Sequence, residues 1–118
     1  MKSKITVIIV TVLLLIIGSC EKQDRPNMNT LEYLYDKYKN GEIDQCKLNG
    51  EIVFCVGLNY VDAGAYIYSN NGERIGECNY AWGPVDKICK ELTDCEVIYR
   101  CDNHITGEPP INKYNLSD

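Results

Sequence analysis

Apolar positions after residue 28 first recur at a helical spacing. They fall at i, i+3, i+4 and i+7 and are Leu31, Leu34, Tyr35 and Tyr38. This stripe predicts an amphipathic helix over 29–40. Asn29 can cap its start, with an acidic residue three positions on as in a capping box, and Gly41 can end it. We expect the stripe to dock on the protein's own sheet, with a partner-binding face as the alternative.

The pattern then changes to short apolar runs around a turn. Asn49-Gly50 is a strong signal for a β-hairpin over 45–58. A two-residue turn there places Cys46 opposite Val53. A direct bridge from Cys46 to Cys55 would therefore need a longer loop or a bulge.

A second hairpin is predicted from Ala65–Ser69 and Glu73–Cys78 around the turn 70–72. A three-residue turn closed by Gly72 would place Ile67 opposite Ile75 and Tyr68 opposite Arg74. The turn residues carry no pattern typical of a calcium loop, so turn chemistry is the preferred interpretation.

Further along, helical spacing predicts a second short helix over Pro84–Leu92, with Cys89 facing inward. Glu96–Cys101 alternates as a strand, with Val97, Tyr99 and Cys101 on one face. The segments together predict an α+β domain: a small antiparallel sheet of two hairpins plus a C-terminal strand, two short helices and disulfide staples. The domain would span 29–105, and the tail 106–118 would be an extended strap or disordered.

Two loops carry candidate contact residues for a partner. Tyr60 lies in the loop 57–64, and Tyr80 and Trp82 lie in the loop 79–83. Aromatic rings in loops are typical anchors of protein interfaces. Packing of these rings against the sheet is the alternative interpretation.

The N-terminus has the layout of a secretory signal peptide. Lys2 and Lys4 precede the apolar run Ile5–Ile17, which is shorter than the roughly 20 residues of a membrane-spanning helix. Ile17-Gly18-Ser19-Cys20 then resembles the lipobox of a bacterial lipoprotein precursor. The resemblance implies cleavage after residue 19, lipidation of Cys20 and a polar tether over 20–28. An uncleaved signal anchor with an incidental cysteine is the alternative.

The resemblance also implies a location. A lipidated Cys20 would hold the protein in the cell envelope by acyl chains, each buried methylene contributing about 0.8 kcal/mol. The residue after Cys20 is Glu21 and not the aspartate associated with inner-membrane retention in some species, which favours the outer membrane. The rest of the chain loosely resembles small envelope lipoproteins of Bacteroidetes-type bacteria, and that likeness implies no activity.

The chain has seven cysteines, and setting Cys20 aside leaves an even number. An even set in an exported chain predicts a disulfide framework. Its candidate members, with pairing left open, are Cys46, Cys55, Cys78, Cys89, Cys95 and Cys101. A metal site is the disfavoured alternative, because no Cys-x-x-Cys occurs and the chain has a single histidine.

The net charge of −5 disfavours nucleic-acid binding, because phosphates would be repelled. No motif for a cofactor, a phosphate loop or a known catalytic elbow is present. The one histidine, His104, is expected to be solvated and not catalytic. We therefore expect a monomer without cofactor or enzymatic activity: an envelope-anchored interaction or structural module. The alternative is a small inhibitor or immunity-type protein that neutralises an extracytoplasmic enzyme.

Overall fold

The computed structural model describes residues 25–79 and 85–118. The expected signal peptide, the lipidation site Cys20 and the aromatic residues Tyr80 and Trp82 lie outside these residues. The elements in chain order are helix α1 (Met28–Tyr38), strands β1 (Glu42–Leu48), β2 (Glu51–Gly57), β3 (Ala65–Ser69) and β4 (Arg74–Cys78), a 3₁₀-helix (Lys87–Lys90), and strands β5 (Thr93–Arg100) and β6 (Ile111–Asn112). Within the described residues, no helix has both the length and the apolar character needed to cross a bilayer.

The strands form one antiparallel sheet in the order β4-β3-β2-β1-β5-β6. This confirms the α+β class and the disulfide-linked antiparallel sheet. The predicted arrangement differs in detail, because β5 pairs with β1 on the side away from β2 and a sixth strand joins the edge. The first hairpin therefore occupies the centre of the sheet.

The first hairpin has the predicted turn and register. Leu48 pairs with Glu51 across the two-residue turn, and Cys46 lies opposite Val53. Asn49 and Gly50 have positive φ angles of 52° and 81°. Glycine and asparagine tolerate this backbone region, and the type I′ turn that it forms matches the twist of the strands.

The second hairpin follows the prediction at the turn and departs from it further along. Tyr68 pairs with Arg74 as expected, but Ile67 lies opposite Gly76, not Ile75. The irregularity in the ladder leaves Ile75 exposed. It also places Gly76 beneath Ile88, where an added Cβ would clash with the isoleucine side chain. The shifted register thus allows the segment after β4 to pack closely against the sheet.

The second predicted helix, Pro84–Leu92, is wrong over the residues that the structure describes. Only the 3₁₀-helix Lys87–Lys90 forms there. Asp86 is extended and lies along the edge of β4, where its carboxylate accepts the Glu77 N–H at 2.8 Å. This contact and the bridge from Cys89 to Cys78 hold the segment against the sheet and leave room for a single helical turn. β5 then begins at Thr93, earlier than the predicted Glu96.

The sheet buries a different apolar cluster on each face. Successive strand residues point to opposite faces, so Phe54 and Val53 join different clusters. α1 covers the larger cluster through Leu31 and Leu34, which are fully buried. The segment 85–92 covers the smaller cluster, which contains the buried disulfide cysteines Cys46, Cys78 and Cys89.

The C-terminal segment 106–118 takes part in the fold. β6 pairs with the end of β5, and Leu116 is buried in the larger cluster. The Asn112 side chain bonds both the N–H and the C=O of Leu116, at 2.8 and 2.9 Å. Leu116 is thereby held in a tight turn after the edge strand.

The sheet has two ends that differ in their connections. At the turn end lie the turns 49–50 and 70–73, together with the entry of the chain at 25–27. Asn70 fixes that entry, because its side chain accepts the Asn27 N–H at 2.8 Å and donates to the Arg25 carbonyl at 3.2 Å. At the loop end lie the loops 58–64 and 101–110.

Candidate protein-binding surface

Four large apolar side chains are exposed together at the loop end. Their exposed fractions are 38% for Leu58, 58% for Tyr60, 71% for Val61 and 51% for Ile105. We call these four residues the loop-end patch. Among the described residues, the other exposed large hydrophobics (Met28, Tyr33 and Ile75) lie on α1 and β4. A concentration of apolar side chains at one end of a domain is typical of an interaction surface.

Asn59 joins the two loops that carry the patch. Its side-chain amide donates to the Asn103 carbonyl at 3.2 Å, and its side-chain oxygen accepts the Ile105 N–H at 2.7 Å. The backbone of the first loop turns sharply beside it, where the Tyr60 N–H bonds the Leu58 carbonyl at 3.1 Å. Leu58, Tyr60 and Ile105 are therefore held in a fixed relation despite their exposure.

Short polar residues allow these loops to turn. Asp62 and Asn103 have φ angles of 60° and 54°, in the left-handed region that asparagine and aspartate tolerate best among residues with a side chain. Gly64 follows Asp62 with a φ of 68° and brings the chain back beside Asn79. Tyr60 and Val61 lie just before these turns and are exposed to solvent.

The surroundings of the patch are acidic. The loops 58–64 and 101–110 contain the carboxylates Asp62, Asp102 and Glu108 and no lysine or arginine. All three are exposed. Arg100, which directly precedes the second loop, donates to Glu42 at 2.7 Å and to the Pro109 carbonyl at 3.2 Å. The loop end therefore presents uncompensated negative charge around an apolar centre.

Arg100 and Lys39 neutralise other carboxylates next to the loop end. Arg100 Nε lies 2.7 Å from Glu42 Oε1, and its Nη1 donates to the Pro109 carbonyl at 3.2 Å. Lys39 Nζ lies 3.2 Å from Asp118 Oδ1. Each cation is thus paired with a carboxylate other than those of the loops, although Lys39 lines the same cleft as Asp102.

A cleft of about 330 Å³ borders the patch on the side of α1. Its walls include Tyr35 from α1, Asn59 from the patch loop, and Tyr99 and Cys101 from the end of β5. The Tyr99 hydroxyl donates to the Lys39 carbonyl, and its ring packs edge-on against Tyr35. The cleft is large enough to accept a side chain of a partner beside the patch.

His104 lies in a second, open cleft of about 470 Å³ that Asp102 and Glu108 also line. Its Nδ1 lies 2.8 Å from the Thr106 hydroxyl and accepts the Thr106 N–H at 3.3 Å. In the described part of the chain, neither carboxylate makes a hydrogen bond or ion pair with the imidazole. His104 thus stabilises the turn of its own loop, and the geometry of an oriented catalytic base is missing there.

A partly buried polar cluster lies near the loop end on the face of the sheet that carries Cys46, Cys78 and the smaller apolar cluster, which we call the disulfide face. Asp44 lies opposite Cys55, and its Oδ1 is buried with no hydrogen-bond partner. Burial is the largest cause that raises the pKa of the Asp44 carboxyl, to about 7. The proximity of the Glu42 carboxylate adds to the rise, and the Arg100 charge opposes it.

The two free thiols are held in the neutral form. Burial first, and then the charges of Asp44 and Glu42, raise the pKa of Cys55 to about 11. Burial also raises the pKa of Cys101. The thiolate is the nucleophilic form of cysteine, so neither residue is activated for covalent chemistry at neutral pH.

The expected disulfide set is correct for four cysteines and wrong for two. Cys46 bonds Cys95, and Cys78 bonds Cys89. Cys55 and Cys101 are free, which overturns the prediction of a third bridge. They cannot meet because Cys55 packs against the cluster on the disulfide face, whereas Cys101 belongs to the cluster beneath α1.

Of the predicted contact residues, the structure places Tyr60 in the loop-end patch. Tyr80 and Trp82, like the lipidation candidate Cys20, lie outside the described residues. Sequence reasoning missed Leu58, Val61 and Ile105. The available signal was an aliphatic residue set among Asn, Asp and Gly, where no regular element could bury it.

No group of three or more His, Cys, Asp or Glu side chains suited to a metal ion occurs in residues 25–79 and 85–118. No protein-family model matches the chain, and no curated protein or solved structure matches it either.

Proposed function

We propose that this chain is a lipid-anchored bacterial envelope lipoprotein, held through Cys20 in the outer membrane, whose domain binds a protein partner without catalysis. The observation that carries the binding role is the loop-end patch: apolar side chains exposed on loops that are fixed to each other by Asn59. Fixed exposed apolar groups lose little conformational entropy on binding, which favours association.

The position of the patch supports a partner on the far side of the domain from the membrane. The tether enters at the turn end, where Asn70 holds Arg25 and Asn27. β2 runs from the turn end to the loop end over seven residues, about 23 Å at the usual rise of about 3.3 Å per residue. A domain anchored through its N-terminus would thus present the patch outward.

A non-catalytic role agrees with the state of the reactive side chains. His104 is engaged by Thr106, and burial keeps the thiols of Cys55 and Cys101 protonated. Asp44, the acid whose pKa is raised, lies opposite Cys55 and lines neither of the two clefts of the loop end. A binding module needs none of them in an activated form.

A second candidate is an inhibitor or immunity-type protein that neutralises an extracytoplasmic enzyme. The loop 58–64 favours it, because Tyr60 and Val61 project from a backbone pinned at Asn59. Inserting a rigid exposed loop is a common way to block an enzyme's site. The two candidates share the same surface and differ in what the partner does.

Site-specific crosslinking tests the proposal. The full chain would be produced in its own bacterium with a photoreactive amino acid at Val61, or at Tyr33 as a matched exposed control on α1. We expect an adduct with one protein from position 61 and none from position 33. Adducts of equal yield at both positions, or none at position 61, would contradict a binding role for the patch.

The same sample separates the two candidates and tests the anchor. Intact mass of the purified protein should show an acylated Cys20, and Cys20→Ser should release the chain from the membrane fraction. If the crosslinked protein is an enzyme whose activity falls when the lipoprotein is added, the inhibitor is favoured. An enzyme with unchanged activity, or a structural protein, favours the interaction module.

A further inference from the structure

Building on the proposed function, we infer that the loop-end patch binds a cationic protein partner, one that places an apolar side chain on the patch with lysine or arginine beside it. The inference concerns the chemistry of the partner and can fail while the binding role of the patch stands. It rests on the placement of charge around the four apolar residues.

The loops that carry the patch have carboxylates and no cation of their own. Asp62 follows Val61 in one loop, and Asp102 and Glu108 flank Ile105 in the other. All three carboxylates are exposed, and none of them forms an ion pair within the described residues. An apolar centre with a charged rim of one sign selects a partner of the opposite sign and repels others.

The cations next to the loop end are already paired with other carboxylates. Arg100 is held by Glu42 and by the Pro109 carbonyl, and Lys39 is held by Asp118. The remaining described lysines and arginines lie on α1, along the strands, in the segment 85–92, at the chain entry, or directly after β6, where Lys113 pairs with Glu96 at 2.9 Å. The negative charge of the loop end is thus available to a partner.

The same carboxylates distinguish a protein partner from a membrane surface. Exposed apolar loops could also enter a lipid layer, but anionic headgroups would be repelled by the three carboxylates. The chain enters at the opposite end of the sheet, where Asn70 holds Arg25. A surface that faces away from the anchor and carries negative charge fits a basic protein better than a bilayer.

The test uses the full lipidated chain in phosphatidylcholine nanodiscs and a phage-displayed library of random disulfide-closed peptides. Empty nanodiscs and nanodiscs bearing the Val61→Asp/Ile105→Asp variant serve for counter-selection. Ile75→Asp, at an exposed position on β4, is the matched control. We expect selected peptides to combine Lys or Arg with a large apolar residue, and to bind the wild type and Ile75→Asp alike.

A charge-neutralised variant, Asp62→Asn/Asp102→Asn/Glu108→Gln, isolates the new inference. We expect it to bind the selected peptides about tenfold more weakly than the wild type, with a reduced salt dependence. Peptides that need Val61 and Ile105 but lack basic residues and bind this variant equally would overturn the cationic partner and leave the proposed function intact.

Two other outcomes would count against the assignment more broadly. Peptides that bind equally to the Val61→Asp/Ile105→Asp variant, or a failure to recover any that depend on these residues, would overturn the patch as a binding surface. Co-sedimentation of the chain with added phosphatidylglycerol vesicles, abolished by Val61→Asp/Ile105→Asp, would assign the patch to a membrane. Equal urea unfolding of all variants would establish that each is folded.

Discussion

The two ends of the sheet differ in the length of their connections and in the side chains that these connections expose. At the turn end, the turn 49–50 uses two residues, and Asn70 bonds the incoming chain at Arg25 and Asn27. At the loop end, loops 58–64 and 101–110 are longer and hold Tyr60, Val61 and Ile105 out in solvent. The turn end contributes to stability, whereas the loop end keeps apolar groups exposed that folding alone would bury.

The contrast indicates which end of the domain serves function. At the turn end, the Asn70 side chain is satisfied by the backbone of the incoming chain. At the loop end the polar residue Asn59 is also satisfied, but its bonds fix apolar neighbours in an exposed position. Ordering a loop has an entropic cost, and ordering it with its apolar groups outward is understandable if a partner covers them.

The largest expected effect separates the two disulfides. Cys46–Cys95 closes a segment of 49 residues and Cys78–Cys89, at the loop end of β4, one of 11. The loop-closure model gives about 4 kcal/mol of stabilisation for the first and about 3 kcal/mol for the second. Urea unfolding of Cys46→Ala/Cys95→Ala and Cys78→Ala/Cys89→Ala should show this order. The reverse order would mean that native packing, not chain entropy, decides their contributions.

The second effect is a dependence of stability on pH at Asp44. Its pKa is about 7 in the fold and near 3.8 when unfolded. The folded state therefore binds the proton more tightly, and the free energy of unfolding should fall as pH rises from about 4 to about 7. Because water reaches this partly exposed group, we expect a loss of about 2 kcal/mol.

Asp44→Asn keeps the shape of the neutral acid and removes the titration. It should be more stable than the wild type at pH 8 and equally stable near pH 4. Its free energy of unfolding should change less with pH between these values. Asp62→Asn, at an exposed loop position, is the control and should leave the wild-type profile unchanged. A wild-type profile that is flat from pH 4 to 7 would contradict the buried neutral carboxyl.

A third and smaller effect compares the two asparagines that tie each end together. Asn70→Ala loses two side-chain bonds to the chain entry, one of them part-buried, and should lower the free energy of unfolding by about 1–2 kcal/mol. Asn59→Ala loses two exposed bonds and should lower it by less than about 1 kcal/mol.

Hydrogen exchange sharpens this comparison. In Asn59→Ala the Ile105 amide loses its acceptor and should exchange faster, while amides of β2 and β5 keep their protection. In Asn70→Ala the Asn27 amide should respond in the same way. Unchanged exchange at Ile105 would show that the two loops are held together by something other than Asn59.

The smallest effect on stability belongs to the patch itself. Tyr60→Ser and Val61→Ser remove exposed groups, so the free energy of unfolding should change by less than about 0.5 kcal/mol. Ile75→Ser, another exposed apolar position, should behave alike in unfolding. Binding to the crosslinked partner should fall only for the first two. Strong destabilisation by either of them would mean that the patch serves the fold.

Much of the turn end could be predicted from the sequence because its signals are local. Asn49-Gly50 determined the turn type, and the turn type determined that Cys46 faces Val53. The helix pattern of Leu31 and Leu34 was also sufficient, since both are fully buried. Residues within one turn of each other decide such features.

The rest depends on contacts between distant segments. The prediction of a second helix was wrong because Asp86 bonds the edge of β4. The predicted pairing of Ile67 with Ile75 was wrong because Gly76 occupies that position, where Ile88 packs against it. Counting cysteines could not show that Cys55 and Cys101 lie in different clusters. Of the candidate site, only Tyr60 was predicted from the sequence. Ile105 reaches the loop that carries Tyr60 through a hydrogen bond to Asn59, which is 46 positions away in the sequence.

The place of β5 has a consequence for how the chain is made. Glu42 pairs with Arg100, 58 residues later, so β1 gains its second neighbour after nearly all of the domain has been synthesised. Until then β1 presents an open edge that can pair with other chains. A high mean sequence separation of contacts also slows folding. A chain truncated before residue 100 is therefore expected to aggregate and not to yield a smaller soluble domain.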